Sequence, residues 1–125
     1  MILTEDLRIG NWIIVSDVTY RINVIAETKV YFEGYKRSVK KEELQPIPIT
    51  QEILEKSGFR RREKTNLYDK IPLEGFTYQL YADRMMIFHP GSNTLCHWLN
   101  TRITFLHQLQ NLYYILTGRK ISVSF

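Results

Sequence analysis

The chain has 125 residues, with 17 Lys and Arg against 13 Asp and Glu for a formal net charge of +4. That length holds one small domain or two very small ones, and a content of 44% hydrophobic and 13% aromatic residues excludes a disordered chain. No apolar run approaches the roughly 18 residues of a membrane span, and a single Cys excludes an intrachain disulfide framework. The opening Met1-Ile2-Leu3-Thr4-Glu5-Asp6 has no basic stretch followed by an apolar core, so a reducing, cytoplasmic setting without a membrane partner is expected.

The first elements in chain order are strands. Asn11 to Ser16, Thr19 to Ile25, Thr28 to Glu33 and Tyr35 to Lys40 are short and rich in β-branched and aromatic residues, with turn or polar residues every six to eight positions. Asp17-Val18 and Glu33-Gly34 are the expected hairpin turns, Gly34 supplying the positive φ that a tight turn requires. Pairing Phe32 with Tyr35 across the second turn puts Val30, Phe32, Tyr35 and Val39 on the inner face. Lys29, Tyr31, Lys36, Ser38 and Lys40 then fall on the outer face. With Ile13, Val15, Tyr20, Ile22 and Val24 also inward, the pattern predicts a small SH3-like β-barrel over 1–49, closed by Leu44 to Ile49.

Pro46 and Pro48 cannot donate ladder hydrogen bonds, so this stretch reads as an edge strand or an exit linker and as the domain hinge. Thr50 is the expected cap of a short helix, with Glu52 in its first turn and Ile49 placed to staple onto Leu54. Gly58 ends that helix, and Phe59 is placed to pack back on Leu54. Strands follow at Phe59 to Glu63, Leu67 to Ile71, Phe76 to Tyr81, Met85 to His89 and Leu95 to Trp98. Their separators are Lys64-Thr65-Asn66, Leu73-Glu74-Gly75, Ala82-Asp83-Arg84 and Pro90-Gly91-Ser92-Asn93. The predicted second segment, 50–125, is therefore an antiparallel meander covered by one helix from Arg102 to Thr117. Asn100 or Thr101 would cap that helix, Gly118 would stop it, and Ile121, Val123 and Phe125 would alternate as a last strand. The fold class is α+β, with the two segments expected to pack as one unit.

On the long helix, Phe105, Leu109, Leu112 and Leu116 recur at spacings of four, three and four, an apolar core stripe. The opposite side carries Ile103, His107, Gln110 and Tyr114, flanked by Asn111, and is too rich in apolar and hydrogen-bonding groups for a solvated face. Either it packs on the other β-segment of the same chain, or it docks a partner protein or a second copy.

Three stretches occur in this order over nearly the whole chain. They are Leu7-Arg8-Ile9-Gly10-Asn11; Pro46-Ile47-Pro48-Ile49-Thr50 running into Glu52-Ile53-Leu54 and Gly58-Phe59; and Leu106-His107-Gln108-Leu109-Gln110-Asn111-Leu112-Tyr113-Tyr114 with Leu116-Thr117-Gly118. Together they resemble a family of small uncharacterised proteins of phages, prophages and mobile elements of Bacteroides-like gut bacteria. The chain departs from that family chiefly at Ile115, where a small residue is more frequent, and at Arg119-Lys120, where an acidic residue is more usual. The resemblance implies an accessory protein of the bacterial cytoplasm and supplies no catalytic residue.

The candidate metal ligands His89, Cys96, His97 and His107 match no zinc spacing, and Cys96 reads as a buried small apolar group. A nucleophilic pair of Cys96 with His89 or His107 has only residue type in its favour, and no phosphate loop, nucleophile elbow or paired-histidine metal helix is present. No catalytic residue, metal or cofactor is expected, and an enzyme is the least supported class. The basic clusters are Lys36-Arg37, Lys40-Lys41, Arg60-Arg61-Arg62 with Lys64, and Arg119-Lys120. Lys29, Tyr31, Lys36 and Lys40 on one barrel face would neutralise phosphates and stack a base. Arg60, Arg61 and Arg62 could join them, although strand alternation turns Arg61 away from the other two. Glu42, Glu43, Glu55 and Glu63 beside these clusters offset much of their field. The leading expectation is a non-enzymatic protein-interaction module using Ile103, His107, Gln110, Asn111 and Tyr114. The alternative is nucleic-acid binding through the basic-aromatic barrel face, and a third is a small anionic ligand held by Arg and Tyr side chains.

Overall fold

The computed structural model describes residues 6–61, 67–70, 77–81, 84–88, 95–98 and 102–125, and it is α+β. Two compact units are formed: one from Met1–Ile49 with Phe105–Lys120, the other from Thr50–Thr104 with Ile121–Phe125.

In the first unit β1 (Trp12–Val15), β2 (Val18–Ile25), β3 (Lys29–Phe32) and β4 (Val39–Lys40) form an antiparallel sheet in chain order. A 3-10 turn at Lys41–Glu43 leads to Gln45, which bridges to the free side of β1 by Ile14 N–H to Gln45 O at 2.9 Å and Gln45 N–H to Ile14 O at 3.1 Å. The sheet is thus curled into a half-barrel. Its core is Leu7, Ile13, Val15, Ile22, Val30, Phe32, Val39 and Leu44, with the Tyr20 and Tyr35 rings 4.9 Å apart beside it.

Three details differ from the expected strands. The first turn is Ser16-Asp17, one residue earlier, with φ of 49° and 68° and Val15 opposite Val18. Positive φ at both positions is the primed geometry whose twist matches that of the strands. The β3–β4 connection is longer than the expected tight turn, because Val30 pairs with Val39 and Lys29 with Lys40, leaving 33–38 as a loop. The slip is by two residues, so Lys29, Val30, Tyr31, Phe32, Val39 and Lys40 keep their expected faces. Val24 is exposed and does not join the core, because the β2–β3 register shifts between Ile22 and Val24. The extra residue, Asn23, reverses the alternation, sending Val24 out and Ile25 in.

In the second unit Thr50 caps α1 (Gln51–Lys56), its Oγ1 accepting from Ile53 N–H at 3.2 Å. Gly58, at φ 87°, closes the helix: its N–H reaches Glu55 O, and Phe59 N–H reaches Leu54 O at 2.9 Å. Lys70 Nζ donates to Ser57 O at 3.0 Å and lies 6.0 Å from the Phe59 ring, a cation at the negative end of the helix. Burial of that amine lowers its pKa. The sheet is a five-stranded antiparallel meander in the order β5 (Arg60–Arg61), β6 (Leu67–Lys70), β7 (Thr77–Tyr81), β8 (Arg84–Phe88) and β9 (Leu95–Trp98). Tyr78, Gln79 and Leu80 are all buried, and the Gln79 amide is satisfied by Asp69 Oδ1 at 3.0 Å. The expected turns at Lys64-Thr65-Asn66, Leu73-Glu74-Gly75, Ala82-Asp83 and Pro90 to Asn93, and the caps Asn100 and Thr101, lie outside the described residues.

Two further expectations are corrected. The long helix, α2 (Leu106–Thr117), belongs to the compact unit of the half-barrel and not to the 50–125 segment expected for it, and it starts four residues later than Arg102. Phe105 is extended and bridges to Pro48, while Leu106 N–H donates to Ile47 O at 2.8 Å. Those strand-like bonds hold the chain out of helix until Leu106. The segment 121–125 forms no strand: Ser124 N–H donates to Lys56 O at 2.9 Å, and Lys56 Nζ lies 5.6 Å from the Phe125 ring.

Ser is strained at positive φ, and Asp, which tolerates it better, still does so at more cost than Gly. Ser16→Asn with Asp17→Gly should therefore raise stability by about 1 kcal/mol, read from the urea midpoint; a lowered midpoint would show that this turn is not of the primed kind.

Candidate nucleic-acid interface

The helix face that the sequence offers for docking is occupied within the first unit. Gln110 Oε1 accepts from Trp12 N–H at 2.9 Å, and its Nε2 donates to Gly10 O at 3.1 Å. One side-chain amide thus serves the edge of β1 as a neighbouring strand's peptide would. Asn111 Oδ1 accepts from Asn11 Nδ2 at 2.9 Å, and Asn111 Nδ2 donates to Asp6 O. Asn11, itself buried, accepts from Arg8 N–H at 2.7 Å through Oδ1. The Leu7-to-Asn11 and His107-to-Asn111 stretches, far apart in sequence, are therefore one hydrogen-bonded clamp. The helix start is completed by Gln108, whose Oε1 accepts from Phe105 N–H at 3.1 Å.

His107 is only 2% exposed, with its ring stacked on Phe105 at 6.2 Å between centroids. Among the described residues its Nδ1 has no hydrogen-bond partner. Burial holds its pKa below the usual 6.5, and the nearby Asp6 carboxylate pushes weakly the other way. This residue is a neutral packing group of the helix start.

Of the expected protein-binding residues, His107 and Gln110 are buried and Asn111 is engaged by its own chain. Ile103 precedes α2, lies in the second unit and is buried. Only Tyr114 stays exposed, next to Ile115 at 74%. The predicted apolar stripe turns as well. Leu106, Leu109 and Tyr113 are buried, whereas Leu112 and Leu116 are only partly covered, because the helix is rotated to bring its amides to β1.

The outer face of the half-barrel holds the other candidate set. Tyr31 is 43% exposed and Val24 45%, and the two are directly opposite across β2 and β3. Lys29 and Lys40 are directly opposite across β3 and β4, both exposed, with Lys36 in the loop between those strands. Among the described residues the side chains of Lys29, Lys36, Lys40 and Tyr31 have no ion-pair or hydrogen-bond partner. Glu27 and the exposed Glu42 and Glu43 belong to turns and not to the strands that carry this face.

The sequence reading missed a further row on the same face. Arg21 stands opposite Trp12, its guanidinium carbon 5.8 Å from the Trp12 ring centroid, and Glu33 N–H donates to Arg21 O at 3.0 Å. The signal was present: Trp12 and Arg21 occupy the outward phase of β1 and β2, next to the inward Ile13 and Ile22. Arg60 and Arg61 are exposed on β5 of the second unit, paired across the ladder with Asp69 and Tyr68, and Arg62 lies outside the described residues.

His89 also lies outside the described residues, while Cys96 and His97 belong to β9. Among the described residues no three His, Cys, Asp or Glu side chains gather as a metal ion requires, and no helix is long and apolar enough to cross a membrane. Comparison of the chain with protein-family models, curated proteins and solved structures finds no match.

Two outcomes follow from the clamp. Gln110→Leu leaves Trp12 N–H and Gly10 C=O unsatisfied and should cost about 2–4 kcal/mol in urea unfolding, whereas a cost under about 1 kcal/mol would show that the amide is dispensable. Because the folded chain holds His107 below its unfolded pKa, the unfolded chain binds more protons in acid. Stability should therefore be complete above about pH 7 and fall progressively as the pH drops through 6.5. His107→Leu should flatten that dependence, and an unchanged pH profile would assign the acid loss to other groups.

Proposed function

We propose that this chain is a non-enzymatic binding protein whose half-barrel holds single-stranded nucleic acid on its outer face. The observation that carries this reading is the Lys29 and Lys40 pair, set opposite one another beside the exposed Tyr31. Like charges facing each other across an antiparallel ladder repel, and neither has an acidic partner among the described residues. A phosphate between them turns that repulsion into shared attraction. Tyr31, flanked by Val24, gives a flat apolar surface on which any base can stack, worth about 1–3 kcal/mol per base. The modest net charge of +4 implies a local contact to few phosphates and little long-range steering. Binding nucleic acid is a role suited to the mobile-element setting that the sequence resemblance implies.

A protein-interaction role is the second reading, and Tyr114 with Ile115, exposed side by side on the outside of α2, favours it. It replaces the wider face expected from sequence, most of which the clamp uses.

The test is fluorescence anisotropy with a labelled oligopyrimidine of about twelve nucleotides at low salt. With about three phosphates neutralised, affinity should fall roughly 18-fold between 50 and 200 mM salt. Lys29→Gln with Lys40→Gln should weaken binding and flatten that salt slope, while Tyr31→Ala should weaken it about tenfold at an unchanged slope. A wild-type chain that ignores the oligonucleotide at low salt would overturn the reading. Self-association lost in Tyr114→Ala would then move the function to α2.

A further inference from the structure

The row Trp12, Arg21 and Glu33 lies beyond Tyr31 on the outer face, at the end away from Lys29 and Lys40. Along β3 and just past it, Lys29, Tyr31 and Glu33 are successive outward positions, about 7 Å apart at the strand repeat. A strand crossing the basic pair and Tyr31 reaches Arg21 next.

Arg21 is already held in the geometry that binds phosphate. Glu33 Oε2 accepts from Arg21 Nε at 2.8 Å and lies 2.5 Å from its terminal nitrogen, while the guanidinium lies over the Trp12 ring. The fork and the aromatic face beneath it are the features by which arginine takes phosphate groups. Both side chains are about half exposed, so the ion pair is bathed in solvent and weakly held. Glu33 leaves β3 at the start of the loop and precedes Gly34, whose φ of 75° lets the chain turn away there.

We infer that the Glu33 carboxylate occupies a phosphate subsite at Arg21, and that a bound strand displaces it, placing a phosphate on the guanidinium and a nucleotide beside Trp12. This rests on the proposed nucleic-acid reading and adds its second subsite and its restraint. Glu33 acts as an internal competitor that a strand must outbid, which keeps unselected polyanions off the face.

The same oligonucleotide assay tests it with matched charge changes. Glu33→Gln removes the competitor, whereas Glu42→Gln makes the same charge change in the 3-10 turn of the same unit. Glu33→Gln should tighten binding about fivefold and steepen the salt slope by about 0.7, the contribution of one more phosphate on a single strand. Glu42→Gln should change affinity less than about twofold, and Arg21→Gln added to Glu33→Gln should cancel the gain. Equal gains from Glu33→Gln and Glu42→Gln would reduce the effect to net charge and overturn the inference, as would no gain from either. Both results require a wild-type chain that binds through Lys29 and Lys40, so they are distinct from failure of the parent reading, in which nothing binds.

Discussion

The side-chain amide of Gln110 bonds to Gly10 O and Trp12 N–H, and through that contact a helix near the end of the chain completes the first strand. The need for it arises where the stretch beside β1 changes partner. Gln45 pairs with Ile14 on the free side of β1, and continuing that ladder would place Ile47 opposite Trp12. Ile47 O is instead taken by Leu106 N–H, and Pro48 bridges to Phe105, so the stretch after Gln45 pairs with the residues that open α2. The edge of β1 is left with polar groups that burial would make expensive. Gln110 answers them, and Asn111 with Asn11 ties in the segment before the strand.

What remains for function follows from that expenditure of side chains. A helix face rich in amides and a histidine resembles a docking surface when only its own periodicity is considered. Once its amides complete a strand and its histidine is sealed beside Phe105, it is an interior. Among the described residues of the first unit, the outer face of the sheet keeps Lys29, Lys40, Tyr31 and Val24 exposed. It carries a graded set of groups: the Lys29 and Lys40 pair, the Tyr31 and Val24 pair, and the Arg21 guanidinium already engaged by Glu33. The first two rows are unsatisfied electrostatically or apolar and exposed, and the third is satisfied but exchangeable. The inner side of the same strands is an ordinary apolar core, so one sheet both stabilises the unit and presents the candidate site.

The outer basic and aromatic side chains were legible because strand alternation is tolerant. An error of two residues in the β3–β4 register left Lys29, Tyr31, Lys40 and their inward neighbours on the correct faces. An error of one residue is not tolerated, and it arose at Asn23, where the bulge moved Val24 from the expected core to the surface beside Tyr31. Nothing in the run Ile22-Asn23-Val24-Ile25 distinguishes a bulge from a regular strand. The Arg21 and Glu33 pair was equally hidden, since the two are twelve positions apart and meet only through the β2–β3 hairpin.

By itself the sequence determined the α+β class, the run of short strands that curls into the half-barrel, the Thr50 cap and the Gly58 stop, because each rests on short-range alternation, turn chemistry or capping. Only the tertiary structure decided which sheet receives α2, where that helix begins, and which of its faces is interior. Those outcomes depend on hydrogen bonds between residues about a hundred positions apart, and the donors and acceptors of β1 that require them are left open because Ile47 pairs with Leu106 and not with Trp12.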